Sequence, residues 1–286
     1  MVQSSTFWQA LGAVSPLELV EPRLLLHYAA QLAACSAQSL LPKRGDDGQM
    51  ALSWKDGALV GEPLSDGARV GLRLASLTLE IRDARGGLST SFPLMGHTTL
   101  EALAWLRVRL GEGGVDTAGL RVQMPYALPP HPVGEGSPFL SNRSDALTEL
   151  TRIYADAAFL LSRWAAQENA SPLRCWPHHF DLAVLLSIGG AGGVGGGGDP
   201  EQSKSINVGL SPGDETYSEP YFYVSPWPYP AIKALPGLRI GHWHTAPWVG
   251  AVLTFSELLS GPVGTQENRA EGFLVTAVEA CEALLA

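Results

Sequence analysis

The stretch "PYALPPHPVGEGSPFLS", residues 125–141, constrains the fold of this chain more than any other segment. Prolines at 125, 129, 130, 132 and 138, together with Gly134 and Gly136, exclude both a helix and a central strand, because proline lacks the N–H that either ladder needs. The segment therefore reads as a linker. It divides 286 residues into parts of about 1–124 and 142–286, either two packed halves or one compact α+β domain interrupted in the middle.

Each part shows a helix, then short strands, then a helix. Residues 17–40 are rich in Leu and Ala and read as a helix, with Pro22 tolerated near its start. "MALSW", "ARVGLRL", "LTLEIRD" and "LSTSFPL" read as strands, and "DARGG" as the turn of a hairpin. Thr98 and Glu101 have the spacing of a capping box ahead of Leu100, Leu103, Leu106 and Leu110, one face of a helix. In the second part, Leu147, Leu150, Tyr154, Ala157, Leu161 and Trp164 recur at steps of three and four behind Ser144, strands fill 173–255, and a last amphipathic helix turns Phe273, Ala277, Val278, Cys281 and Leu284 inward. The pattern predicts an α+β fold of mainly antiparallel sheets flanked by helices, rather than alternating βαβ units.

Composition removes several functions. Hydrophobic residues make up 45% of the chain, enough for a sizeable core. A net charge of −9 with no basic run argues against nucleic acid, whose phosphates draw on clustered Lys and Arg. No apolar run approaches the length of a membrane span. Three widely spaced cysteines suggest reduced thiols rather than a disulfide framework. With no basic region before the apolar residues at the N-terminus, a cytoplasmic location is expected. Residues 189–198 contain Gly190, Gly192 and Gly195 in G-x-G-x-x-G spacing, but Asp199 and Pro200 follow where a dinucleotide site needs a helix, so the tract reads as a mobile, dispensable loop between strands.

The chemistry gathers after residue 175. Four histidines (178, 179, 242, 244) and four tyrosines (217, 221, 223, 229) lie between 178 and 244. If "HHFDLAVLL" is extended, His179 and Asp181 share a face, as do His242 and His244 in "GHWHT". His179, Asp181 and His244 then have the order of a two-histidine, one-carboxylate metal centre for Zn, Fe or Mn, with Glu219 as a further ligand or general base. Asp181 and Glu219 are the candidate catalytic carboxylates. His178, Tyr221, Tyr223, Trp227 and Trp243 are candidate ligand-binding side chains, within a pocket built from 175–182, 215–229 and 241–248. The same residues suit a small-molecule enzyme or a binding module without turnover, and a structural or partner-binding protein is the third reading. A thiol nucleophile at Cys175 with His178 as its base is opposed by the intervening Pro177.

The segments "SPLRCWPHHFDLAVLL", "INVGLSPGDETYSEPYFYVSPWPYP", "GHWHTAPWVGAVLTFSELL" and "EGFLVTAVEACEALL" resemble an uncharacterised bacterial domain-of-unknown-function family. The resemblance spans most of the chain and implies a soluble bacterial protein. It places Asp181, Glu219, Tyr221 and Tyr223 at matching positions, whereas His178 and His179 belong to a subgroup, and it implies no particular reaction.

Overall fold

The computed structural model describes residues 7–189 and 204–286. Within them the chain builds two antiparallel sheets flanked by helices, the predicted α+β class. It divides into two units, but the division does not fall in the proline-rich stretch.

The first unit comprises Glu18–Thr151 and Arg174–Phe180. Its long helix α1 (Val20–Leu40) follows a short 3-10 turn and buries Leu25, Leu26, Ala29, Ala30, Leu32 and Ala33. Pro22 lies in the first turn, where a missing N–H costs no helical hydrogen bond. Strands β1 (Ser53–Lys55), β2 (Ala58–Val60), β3 (Arg69–Arg73), β4 (Thr78–Arg82) and β5 (Leu88–Pro93) form a meander in sequence order. Asp83 accepts from the backbone N–H groups of Arg85 and Gly87 and so closes the β4–β5 turn. Helix α2 (Thr99–Glu112) starts at the expected capping box, Thr98 with Glu101. Leu103, Leu106 and Leu110 are buried, but Leu100 is 75% exposed and lies off the buried face.

The proline-rich stretch belongs to this unit. Tyr28 Oη donates to the Pro129 carbonyl at 2.9 Å, His131 Nε2 lies 3.0 Å from a Glu21 oxygen, and Phe139 is fully buried beside a backbone bridge to Met95. Prolines here fix an irregular path that packs, rather than a linker that spans. Strand β6 (Arg174–Trp176) returns to this unit, where Cys175 and Leu52 exchange backbone hydrogen bonds of 2.7 and 2.9 Å. The division between units falls inside helix α3 (Ser144–Ala165), which buries Leu147, Leu150, Tyr154, Ala157 and Leu161 and leaves Trp164 half-buried.

The second unit comprises Met1–Leu17, Arg152–Leu173 and Asp181–Ala286. Strands β7 (Asp181–Ile188), β8 (Lys204–Ser211), β9 (Tyr221–Trp227), β10 (His242–His244) and β11 (Gly250–Thr254) lie in the order β10-β11-β9-β8-β7, every pair antiparallel. Helices α4 (Phe255–Leu259) and α5 (Gln266–Leu285) follow. The glycine tract connecting β7 to β8 lies outside the described residues.

Register gives the two faces of this sheet opposite characters, since residues directly across a ladder share a face. One row runs Val184, Val208, Val224, Ala251, and the next runs Leu182, Leu210, Phe222, Leu253. This apolar face receives α5, whose Phe273, Leu274, Ala277, Val278 and Cys281 are buried and which packs on β8, β9 and β11; Leu285 rather than Leu284 completes its inner stripe. The opposite face carries the rows Ala183, Gly209, Tyr223, Val252, His242 and Ser211, Tyr221, Thr254. The chemistry lies there.

Candidate functional site

Tyr221 and Tyr223 project from β9 on one face, as period-two alternation requires. The ring of Tyr223 lies over Gly209 on the neighbouring strand so closely that a Cβ at 209 would sit 2.6 Å from it. That gap lets the side chain cross β8 and donate its hydroxyl to Asp181 Oδ2 on β7, at 2.5 Å. Both groups are buried, each 8% exposed. Burial, and then the Asp181 carboxylate, push the Tyr223 phenol well above its ordinary range, so it keeps its proton as a neutral donor. Tyr221 behaves alike: it donates to Asp214 Oδ2 at 2.5 Å and is raised by burial and by that carboxylate.

Asp214 also shapes the loop between β8 and β9. Its Oδ1 accepts from the N–H groups of Thr216 at 2.7 Å and Tyr217 at 2.9 Å, while its own N–H donates to the Tyr217 carbonyl at 2.8 Å. The closed turn sets the Tyr217 ring 4.9 Å from that of Tyr221. The Tyr217 hydroxyl then stands between two histidines of β10, 3.0 Å from His242 Nε2 and 3.2 Å from His244 Nδ1. His242 Nδ1 lies 3.3 Å from Glu257 Oε1 at the head of α4, where Glu257 Oε2 accepts from the Thr254 N–H in a capping box.

With His242 neutral, these contacts take one polarity. A carboxylate only accepts, so neutral His242 carries its hydrogen on Nδ1 and accepts at Nε2 from Tyr217. The Tyr217 oxygen, having given its hydrogen, accepts from His244 Nδ1–H. His244 Nε2 is left as a bare lone pair. That atom is buried, and no hydrogen-bond partner for it exists among the described residues. The His244 ring is 9% exposed and lies against Trp248, with ring centroids 4.4 Å apart. Gly250 accommodates Trp248, since a Cβ there would be 2.5 Å from the indole.

The other residues singled out by sequence lie elsewhere. β7 begins only at Asp181, and Phe180 before it adopts a left-handed φ of 57°. His179 is therefore in a turn, exposed, and the expected parity between it and Asp181 does not exist. His178 packs on His179, Tyr126 and Trp176 in the first unit, where burial and the His179 imidazole lower it to about 4. This turn is held by its Pro177 carbonyl, which accepts from His27 Nε2 and Gln31 Nε2, both at 2.9 Å. Glu219 accepts from the Ser256 N–H at 2.5 Å and so caps the start of α4 instead of joining the cluster. Trp243 Nε1 donates to the Pro236 carbonyl at 2.7 Å, and Trp227 is 41% exposed against Tyr229. Among the described residues, no group of three or more His, Cys, Asp or Glu side chains converges to hold a metal ion. Without a shared strand face, His179, Asp181 and His244 do not form the Zn, Fe or Mn centre expected of them.

Tyr217 and Trp248 fall within the expected pocket segments, whereas Asp214 and Glu257 lie outside them. Glu257 has a legible signal, the T-x-x-E spacing from Thr254, the same that marked α2. Asp214 three residues before Tyr217 is a turn signal of equal quality. No protein-family model, curated protein or solved structure matches the chain. No helix among the described residues is long and apolar enough to cross a membrane.

Proposed function

We propose that the polar face of the second sheet is the acid/base site of an enzyme acting on a small molecule, with His244 Nε2 as the base that meets the ligand. The carrying observation is that buried, unpartnered nitrogen. An unsatisfied buried polar atom costs about 1–3 kcal/mol, and a ligand donor is what relieves it. A substrate fitting this site presents an O–H or N–H to His244 alongside the rings of Trp248 and Tyr217, and loses that proton in the reaction. Tyr223 with Asp181 and Tyr221 with Asp214 supply neutral phenols whose positions are fixed by carboxylates. A cytoplasmic location accords with this reading, since Cys35, Cys175 and Cys281 are buried thiols that form no disulfide.

A binding module without turnover is the second reading. It is favoured by the run of aromatic contacts, Tyr217 to Tyr221 at 4.9 Å, Tyr221 to Tyr223 at 6.1 Å and His244 to Trp248 at 4.4 Å, rings of the kind that line ligand sites. Thermal denaturation against a panel of small metabolites tests the site. A ligand present at 100 times its Kd stabilises by about 2.7 kcal/mol, and His244→Phe is expected to abolish that stabilisation. Ligands that protect both proteins equally would place the site elsewhere. Conversion of a protective ligand, followed by mass spectrometry, separates enzyme from binder.

A further inference from the structure

The contacts around Tyr217 have a second arrangement, and it gives the site a direction of proton flow. We propose that His244, Tyr217, His242 and Glu257 form a proton wire that carries a proton from the ligand at His244 Nε2 to the half-exposed His242, and that the protonation of His242 decides whether His244 Nε2 accepts or donates. The inference rests on the reading of His244 as the ligand-facing base.

The inner end is buried, His244 being 9% exposed, whereas the His242 and Glu257 side chains at the outer end are 43% and 41% exposed. Three contacts of 3.2, 3.0 and 3.3 Å join the ends without a break. When a ligand X–H gives its proton to His244 Nε2, the Nδ1 proton passes to the Tyr217 oxygen and the Tyr217 proton passes to His242 Nε2. The X–H electron pair stays on the ligand. His242 becomes an imidazolium facing Glu257, and His244 stays neutral with its hydrogen moved to Nε2. Reversal returns the proton, so one imidazole serves first as base and then as acid.

The other groups around the wire fit this use. Burial and the carboxylates of Asp214 and Glu257 hold the Tyr217 phenol above its ordinary range, so it relays a proton without resting as a phenolate. Asp214 accepts from the Tyr217 N–H, the tilted Tyr221 ring lies beside Tyr217 and donates away to Asp214, and Arg269 on α5 donates through Nη2 to the Glu257 carbonyl at 2.9 Å.

Imidazole 15N NMR on the full, ligand-free chain tests the wire, with assignments from His242→Gln and His244→Gln. Over the pH range in which His242 titrates, His244 Nε2 is expected to move from the bare, pyridine-type position to the protonated, pyrrole-type position while the ring stays neutral. A His244 that keeps one tautomer throughout, or carries its hydrogen on Nε2 when His242 is neutral, overturns the proposal. In Tyr217→Phe, His242 is expected to titrate while His244 no longer follows; a His244 that still follows overturns Tyr217 as the link. The wild-type titration decides the tautomer switch even if that variant fails to fold. Loss of the switch with His244-dependent ligand protection intact removes the wire and leaves the site, whereas protection indifferent to His244→Phe removes the site itself.

Discussion

Two buried polar side chains, Glu80 in the first sheet and His244 in the second, are partnered in opposite ways. In the first, Glu80 on β4 is 2% exposed and both its oxygens are taken: Arg73 Nε donates to one, and Arg82 donates to the other from Nε at 3.1 Å and Nη2 at 2.7 Å. In the second, His244 is nearly as buried, yet one ring nitrogen has no protein partner among the described residues. A closed set of partners marks a group that holds structure, because nothing remains for a ligand to satisfy. An open valence inside a network leaves something for a ligand to satisfy. The difference separates two buried charged or polar clusters that composition alone would rank alike.

The largest effect expected from breaking this comparison is at the closed cluster. Glu80→Ala leaves Arg82, 12% exposed, without its counter-charge and is expected to cost about 3 kcal/mol, read from the urea midpoint. A loss below about 1 kcal/mol would mean that the cluster is not structural.

His27 sharpens it next, as a buried imidazole with one partner. Burial, opposed by its hydrogen bond to Pro177 and reinforced by Arg23, His179 and His178, lowers it from 6.5 to about 4. The unfolded chain then binds the proton more readily than the folded one, so stability is full above about 6.5 and falls as pH drops towards about 4. The loss is on the order of 2–3 kcal/mol and should shrink in His27→Gln, measured by melting across that window.

Gly209→Ala probes the open face through its steric requirement. The new Cβ forces the Tyr223 ring away from Asp181, at a cost of roughly 1–3 kcal/mol with loss of ligand protection. Unchanged melting would show that the ring has room to yield. The smallest effect is expected at His244→Phe, within about 1 kcal/mol of wild type in either direction, because the lost Tyr217 contact is offset by removal of an unsatisfied nitrogen. A loss as large as that of Glu80→Ala would end the comparison, since His244 would then be structural too.

Sequence disclosed what depends on local periodicity. The capping box at Thr98, the hairpin at Asp83, the inward stripe of α5 as far as Cys281 and the shared face of Tyr221 and Tyr223 were all legible, because each is set by spacings of no more than four residues. β2 was not, since Ala58, Leu59 and Val60 are too few to show alternation. The parity argument for His179 failed at Phe180, because a left-handed, non-glycine residue carries no compositional warning. Glu219 read as a catalytic carboxylate because a helix start thirty-seven residues away, where it accepts from Ser256, cannot be seen from its neighbours. The junction of Tyr217 with His242 and His244 follows from strand order, which only the folded ladder reveals.

The attachment of Tyr217 has a consequence for how such a site diversifies. His244, Tyr223 and Asp181 are fixed to strands whose ladders specify their positions, whereas Tyr217 rides on residues 212–220, held at the ends by β8 and β9 and internally by one carboxylate, Asp214. The middle of that segment is a replaceable cassette. Exchange of residues 215–218, with Asp214 kept to fix Tyr221 and Glu219 kept to cap α4, would alter what faces the base without disturbing the sheet, so new substrate preferences can be sought in four residues rather than across the whole chain.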